Sequence, residues 1–162
     1  MMVRHIHTAL GLLAAGIVFP LTIGHALQKP ESPKITRVSV SSKGVEADYD
    51  SKNASVSADG RFVAFESKAS NLVPGDTNGA TDVFGHDLSQ GTTWRISVDS
   101  SGNQGDGNSR RPKVSADGSG VMFSSSATNL VSGDTNGVND MFLRDTISGT
   151  TTRADDPAPS AM

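Results

Sequence analysis

The sequence contains no cysteine, and this absence excludes several kinds of protein. A disulfide scaffold, a thiolate zinc site, a cysteine nucleophile and a lipid-modified anchor cysteine all require that residue. Aromatic residues are also scarce, at 5% of the chain with one Trp and one Tyr, and charged residues make up only 19%. The formal net charge is −3 and no basic stripe or Arg-rich run occurs, so we expect no nucleic-acid partner.

What the chain has instead is an abundance of Gly, Ser, Thr, Asp and Asn. This composition is typical of many short strands joined by turns. Recurring Val and Phe positions favour an ordered structure over disorder in the middle of the chain. The length of 162 residues predicts one folded domain.

Residues 1–26 have the pattern of a secretory signal peptide. Arg4 precedes the run ALGLLAAGIVFPLTIG, about 16 residues and shorter than a membrane-spanning helix. Gly24 and Ala26 supply the small residues that a cleavage site after Ala26 requires. We therefore predict a periplasmic or secreted protein. The alternative is an uncleaved N-terminal anchor, which is the only membrane contact that the sequence indicates. Residues 27–34 have the composition of a linker, and residues 154–162 that of a flexible tail.

The rest of the chain is a tandem repeat. When Arg37 is aligned with Arg95, an offset of 58 residues, the two copies match without a gap. RVSVSS then faces RISVDS, VSADGRFVAF faces VSADGSGVMF, and NLVPGDTNGATDVF faces NLVSGDTNGVNDMF. We predict one structural unit for each copy, in residues 35–94 and 95–153.

Each copy has the pattern of several short strands. Asp59-Gly60 and Asp117-Gly118 are turn dipeptides, in which Gly takes a positive φ and Asp bonds to the turn backbone. In RFVAFES, Phe62 and Ala64 face away from Phe65, so this strand is apolar on both faces and should be covered on both. We therefore predict an all-β fold, a partial β-propeller of about two four-stranded antiparallel blades in tandem. A parallel β-helix is the alternative, although its coils are usually shorter than this repeat.

The motif VSADGRFVAFES, followed by TDVFGHDLSQGTTWRIS, resembles the WD-like propeller repeat of the periplasmic TolB-type proteins. The family pattern is Ser-Pro-Asp-Gly, an apolar strand, an Asp-aromatic strand and a Thr/Arg-rich outer strand. Ala58 and Ala116 stand where the family often has Pro, and the segment ASNLVPGDTNG lengthens one connection. The resemblance covers about residues 35–153. It implies a propeller that scaffolds protein–protein contacts in the cell envelope.

The number of repeats does not determine how the chain covers its apolar faces. Propellers usually have four to eight blades, whereas this sequence encodes about two. A repeat unit cannot bury its apolar faces alone. Three interpretations follow: a truncated gene product, self-association of chains to complete the propeller, or a two-blade unit that needs a protein partner.

The repeated acidic loop is the candidate metal site. Oxygen-bearing side chains alternate around a Gly, an arrangement that suits calcium. These residues are Asp76, Asn78 and Asp82 in the first copy, and Asp134, Asn136 and Asp140 in the second. The bidentate Glu that ends a standard calcium loop is absent. A structural loop built from Asx-turns is therefore the alternative to calcium, the only cofactor that the sequence suggests.

The sequence contains no catalytic constellation. His86 is the only His beyond the signal segment, and its counterpart Arg144 indicates a solvent-facing position. No Gly-x-Ser-x-Gly motif occurs, and Trp94 is interpreted as a packing residue or a sugar-stacking one. We predict a non-enzymatic, TolB-like protein that offers a protein-binding surface. The alternatives are the propeller portion of an exported hydrolase or carbohydrate-binding protein, and a calcium-stabilised surface or adhesion module.

Overall fold

The structure, a computed structural model, describes residues 34–154. The predicted signal peptide therefore lies outside the described residues, as do most of the predicted linker and tail. Ile35 begins the unit that contains both repeats. Between residues 34 and 154, no helix is long and apolar enough to cross a membrane.

Eight strands form two antiparallel sheets of four strands each, and in both sheets the strands follow chain order. The first sheet contains β1 (Ser51–Val56), β2 (Phe62–Ser67), β3 (Asp82–Asp87) and β4 (Thr92–Arg95). The second contains β5 (Ser109–Val114), β6 (Gly120–Ser125), β7 (Asp140–Asp145) and β8 (Thr151–Arg153). The prediction of two tandem four-stranded antiparallel blades is confirmed.

The predicted turn dipeptides lie between the first and second strands of their sheets. Gly60 has a φ of 71° and Gly118 one of 77°, values that favour glycine. The Asp59 carboxylate accepts hydrogen bonds from Ser57 Oγ (2.5 Å) and from the backbone N–H of Arg61 (3.0 Å). These bonds close the turn and start β2 in the correct register.

Alternation along the strands gives each sheet two apolar faces. In the first sheet, Phe65 lies opposite Phe84, while Ala64 lies opposite Gly85 on the other side. We call the side with Ala64 and Val83 the forward face and the side with Phe65 and Phe84 the rear face. In the second sheet, the forward and rear faces are those formed by the residues 58 positions later in the sequence.

The forward face of the first sheet packs on the rear face of the second. Val83 and Phe123 are fully buried in this interface, and Ile96 joins them from the connection between the sheets. The complete cluster is Phe62, Ala64, Val83, Ile96, Val121, Phe123, Ala127, Leu130 and Phe142. A smaller cluster lies on the rear face of the first sheet, where Val38 and Ala47 pack against Phe65 and Phe84. Both faces of β2 are therefore covered, as its sequence predicts.

Each repeat begins with a short hairpin that binds its own outer strand. Thr93 Oγ1 donates a hydrogen bond to Val40 O (2.5 Å), and Thr151 Oγ1 makes the same bond to Val98 O (2.6 Å) in the second repeat. Thr93 Oγ1 also lies 2.8 Å from Nδ1 of His86, which is buried. The prediction that His86 faces solvent is wrong, because the hairpin and Thr93 cover it. Burial lowers the pKa of this histidine, with Asp87 acting in the opposite direction.

Candidate functional site

The repeated acidic loop connects the second and third strands of each sheet and contacts an arginine in the outer strand. In the first repeat, Nη2 of Arg95 lies 2.9 Å from Asp76 Oδ2, and its Nε lies 3.4 Å from Asp82 Oδ2. The Arg95 side chain is only 8% exposed. These contacts are at ion-pair distance, although neither nitrogen has the geometry of a hydrogen bond. In the second repeat, Nη1 of Arg153 approaches Asp134 (3.5 Å) and Asp140 (3.9 Å).

The asparagines of the loops orient their amides towards the same carboxylates. Asn78 Nδ2 donates to Asp82 Oδ2 (3.1 Å) and to Gly105 O (2.8 Å), while its Oδ1 accepts the backbone N–H of Ala80. Asn136 makes the equivalent bond to Asp140 (3.0 Å). The amide therefore presents N–H groups to the carboxylate, and its oxygen closes an Asx-turn.

In this arrangement the six residues predicted for calcium make ion-pair contacts and hydrogen bonds with other residues of the protein. Their four carboxylates are paired with arginine, which supplies the positive charge that an ion would otherwise bring. Residues 34–154 contain no group of three or more His, Cys, Asp or Glu side chains placed to hold a metal ion. Calcium binding stays a prediction, and the ion would have to displace a guanidinium. The arginine was not among the predicted site residues, although Arg95 and Arg153 occupy aligned positions in the two copies.

In the first loop, burial has the largest effect on the pKa of Asp82. Desolvation raises the pKa of the Asp82 carboxyl, while hydrogen bonds from Ser97 and Asn78 and the charge of Arg95 act to lower it. Ser97 Oγ donates to Asp82 Oδ1 at 2.6 Å. The ionised form of the buried Asp82 carboxyl is thus stabilised by its hydrogen-bond partners and by the charge of Arg95.

A cleft of about 510 Å³ lies between the two repeats at the turn end. Trp94 stacks on Phe62 with their ring centroids 5.2 Å apart, and both line the cleft. Asp59 and Asp117 contribute carboxylates to its rim, and Ile147 adds an exposed apolar side chain. Trp94 is therefore both a packing residue and part of a concave surface.

The carboxyls of this cleft are held in their ionised form. Hydrogen bonds from Arg61 lower the pKa of Asp87 well below its usual range. Hydrogen bonds from Ser115 and Ser119 lower the pKa of Asp117 to about 2. The pKa of Asp59 is lowered in the same way by Ser57. A carboxyl pair in acid–base catalysis needs one member with a raised pKa, and none of these three has one.

The forward face of the second sheet is exposed. Met122, Met141 and Leu143 project from it and are 41%, 40% and 40% exposed. We call this surface the open face. The equivalent positions of the first sheet are Ala64, Val83 and Gly85, and the first two are fully buried under the second sheet. The same side of the repeat is thus covered in one copy and uncovered in the other.

Stacked four-stranded antiparallel sheets in chain order define a protein of the β-propeller type. No protein-family model matches the chain, and no curated protein matches it either. Among solved structures, it is similar to TolB from Acinetobacter baumannii, at 20% identity and a TM-score of 0.41, over 65% of this chain and 21% of that one. It is also similar to a putative TolB from Agrobacterium tumefaciens, at 20% identity and a TM-score of 0.45, over 67% of this chain and 31% of that one.

Both neighbours are proteins of the type that the repeat motif resembles. The chain spans less than a third of the length of either one. At this level of identity the similarity concerns the fold, and it carries no argument about function.

Proposed function

We propose that this chain is an exported, non-enzymatic propeller-type repeat protein whose open face binds another protein in the cell envelope. The observation that carries the proposal is the exposure of Met122, Met141 and Leu143 together on one sheet. Their counterparts in the first sheet are covered by a neighbouring sheet, so this side of the repeat is suited to a packed interface. Methionine adapts its shape to a partner surface, and contiguous exposed apolar residues mark interaction sites.

In-cell photo-crosslinking tests this binding surface. A photoreactive residue at position 143 lies in the open face, whereas one at position 147 replaces Ile147, which is 83% exposed but lies in the β7–β8 turn. We expect a covalent adduct with one specific protein, either a different protein or a second copy of this chain, from position 143 and none, or much less, from position 147. Equal labelling from both positions, or no protein adduct from position 143, would contradict the proposal.

Export is supported by the signal-peptide pattern of residues 1–26. The protein recovered from the periplasm or medium of an exporting host should begin at Leu27, as measured by intact mass. A full-length mass in the cytoplasmic fraction would contradict export.

A second candidate function is ligand binding in the cleft, and Trp94 is the observation that favours it. Carbohydrate-binding sites use aromatic rings with nearby polar groups, and here Asp59 and Asp117 lie on the rim. Because Trp94 is the only Trp, its fluorescence reports on this cleft alone. Soluble cell-wall oligosaccharides should quench or shift that emission in the wild type. An unchanged emission spectrum would count against this function.

A calcium-stabilised module is the third proposal, and a melting experiment separates it from the arginine arrangement. If the loops hold calcium, millimolar calcium should raise the Tm of the wild type. If Arg95 instead takes the place of the ion, the Tm of the wild type should not change, and calcium should raise only the Tm of Arg95→Gln, whose carboxylates are free to bind an ion. A clear rise in the wild type would instead support calcium as the native ligand.

A further inference from the structure

Strand β5 contributes several of the hydrogen bonds between the two repeats. It is the strand of the second sheet that lies against β1, β2 and β3 of the first. Three of its backbone N–H groups donate hydrogen bonds to the first repeat. These bonds are Ser109 N–H to Thr81 O (2.7 Å), Arg111 N–H to Glu66 Oε2 (2.7 Å) and Val114 N–H to Ser55 Oγ (3.1 Å).

Strand β1, the counterpart of β5, is exposed. Lys52, Asn53 and Ala54 face solvent and Val56 is 57% exposed, whereas Val114 packs into the core between the sheets. The two strands nevertheless have the same backbone. Both break register with the neighbouring strand at the same place, and the residue in the break has a φ of 52° in β1 and 55° in β5. The shape that binds a forward face is therefore present in β1 as well. Ser55 of β1 is bonded to β5 of the same chain, while residues 52–54 and Val56 stay exposed.

The open face offers β1 most of the partners that β5 finds on the first repeat. Asn139 aligns with Thr81 and keeps a backbone carbonyl, and Ser124 aligns with Glu66 and keeps a side-chain acceptor. Lys113 aligns with Ser55 and cannot accept the third bond. Met122 and Met141 enlarge the apolar surface at the positions of Ala64 and Val83, so part of the lost polar contact is offset by apolar burial.

We propose that β1 of a second copy of this chain docks on the open face, so that copies associate head to tail. This inference rests on the proposed function, because it names the partner of the same surface. Phe65 and Phe84 behind β1 are already buried, so the contact is made by β1 itself rather than by the rear-face phenylalanines. The two surfaces that meet are different, so the association is heterologous and either closes into a ring or extends.

Two variants, each with a charge in one of the two proposed contact surfaces, test the head-to-tail arrangement. Met141→Asp places a charge in the open face, and Val56→Asp places one on β1; both side chains are well exposed, so neither change should unfold the chain. Ile147→Asp, at an exposed apolar position outside both surfaces, is the matched control. Each protein is purified from an exporting host, checked by thermal melting, and analysed by sedimentation velocity alone and in equimolar mixtures.

We expect the wild type and Ile147→Asp to gain mass with concentration above that of a single chain. Met141→Asp and Val56→Asp should each remain single chains when measured alone. Their mixture should form a dimer and nothing larger, because only one open face and one unblocked β1 remain in each pair. A wild type that stays a single chain at all concentrations overturns the inference, as does self-association of Val56→Asp, which would mean that open faces pair with each other.

A crosslinking measurement covers the case in which a charged variant fails to fold. The chain has no native cysteine, so Asn139→Cys and Ser51→Cys can be joined specifically by a short bifunctional maleimide. These positions align with Thr81 and Ser109, which are in direct contact. The inference predicts a crosslink in the mixture of the two variants and none in either alone, and the absence of a crosslink in the mixture overturns it. A single-chain wild type that still captures a different protein at position 143 would overturn only this inference and leave the proposed function standing.

Discussion

At the scale of single residues, an arginine of the outer strand contacts the acidic loop in both repeats. Asp76 and Asp82 are almost completely buried, and carboxylates in such positions need a counter-charge. Arg95, at the end of β4, provides it and ties the long β2–β3 loop to the outer strand. Arg153 repeats the arrangement in a more open form, since its side chain is 19% exposed. In both repeats the loop is thus in contact with the outer strand of its own blade.

Replacement of Arg95, the buried arginine, should lower the free energy of unfolding. Arg95→Met leaves two buried carboxylates without their counter-charge, and we expect a loss of about 3–5 kcal/mol in the free energy of unfolding. Arg153→Met, its counterpart, should lose less because its site is more exposed and its contacts are longer. Adding Asp82→Asn to Arg95→Met should restore part of the lost free energy of unfolding, because it removes one of the two unpaired carboxylates. Urea denaturation measures all three, and equal losses for the two arginines would contradict this interpretation.

The turn aspartates make stability depend on pH in the acid range. The pKa of Asp117 is lowered from 3.8 to about 2 in the folded chain by hydrogen bonds from Ser115 and Ser119. The contribution of Asp117 to the free energy of unfolding is therefore present above pH 3.8 and is lost as the pH falls towards 2. We expect Asp117→Asn to be less stable than the wild type at pH 5, with the difference closing by pH 2. Unfolding of both proteins followed from pH 5 to pH 2 measures this difference, and a difference that stays constant over that range would contradict the prediction.

At the scale of strands, close packing accounts for differences between the two copies. A Cβ on Gly85 would lie 2.7 Å from Cζ of Phe62 and 3.2 Å from Cδ1 of Ile96. The aligned position in the second copy holds Leu143, because nothing from another sheet lies over it. The side chain that fits a strand position thus depends on whether that face is covered.

Gly85→Ala should therefore destabilise the chain. Phe62 and Ile96 would have to shift to admit the methyl group, and overpacking of this kind costs about 1–3 kcal/mol. Leu143→Ala, at the aligned position, should change the free energy of unfolding by less than about 1 kcal/mol. Chemical denaturation of the two variants side by side checks the prediction; a neutral Gly85→Ala would mean that the first sheet is not packed as described.

The sequence alone predicted the strands well and the contacts between them less well. The turn dipeptides, the two-sided apolar pattern of β2 and the exact spacing of the repeat were enough for two antiparallel four-stranded units. The position of His86 was predicted wrongly, because alignment with Arg144 reveals nothing about a hairpin that folds back from residues 40–46. The pairing of Arg95 with Asp82 was missed because it runs across the β3–β4 pair, and single-sequence patterns do not reveal which side chains meet across strands.

At the scale of the whole molecule, two equivalent sheets stack in one direction and leave one apolar side uncovered. Nearly identical repeats bury the same side differently: Val83 lies under the second sheet, while Met141 is exposed. This asymmetry defines the open face, the surface that we propose as the binding site for a protein partner. Neither the composition nor the repeat pattern could indicate which of the two sheets would carry it.

The most direct test compares alanine substitutions at these two aligned positions in dilute protein. Val83→Ala opens a cavity between the sheets and should lower the free energy of unfolding by about 2–4 kcal/mol, whereas Met141→Ala should lower it by less than about 1 kcal/mol. Both values come from urea unfolding of the same preparation, with circular dichroism as the signal. Equal losses at the two positions would contradict the account, because they would mean that the second sheet has no uncovered face.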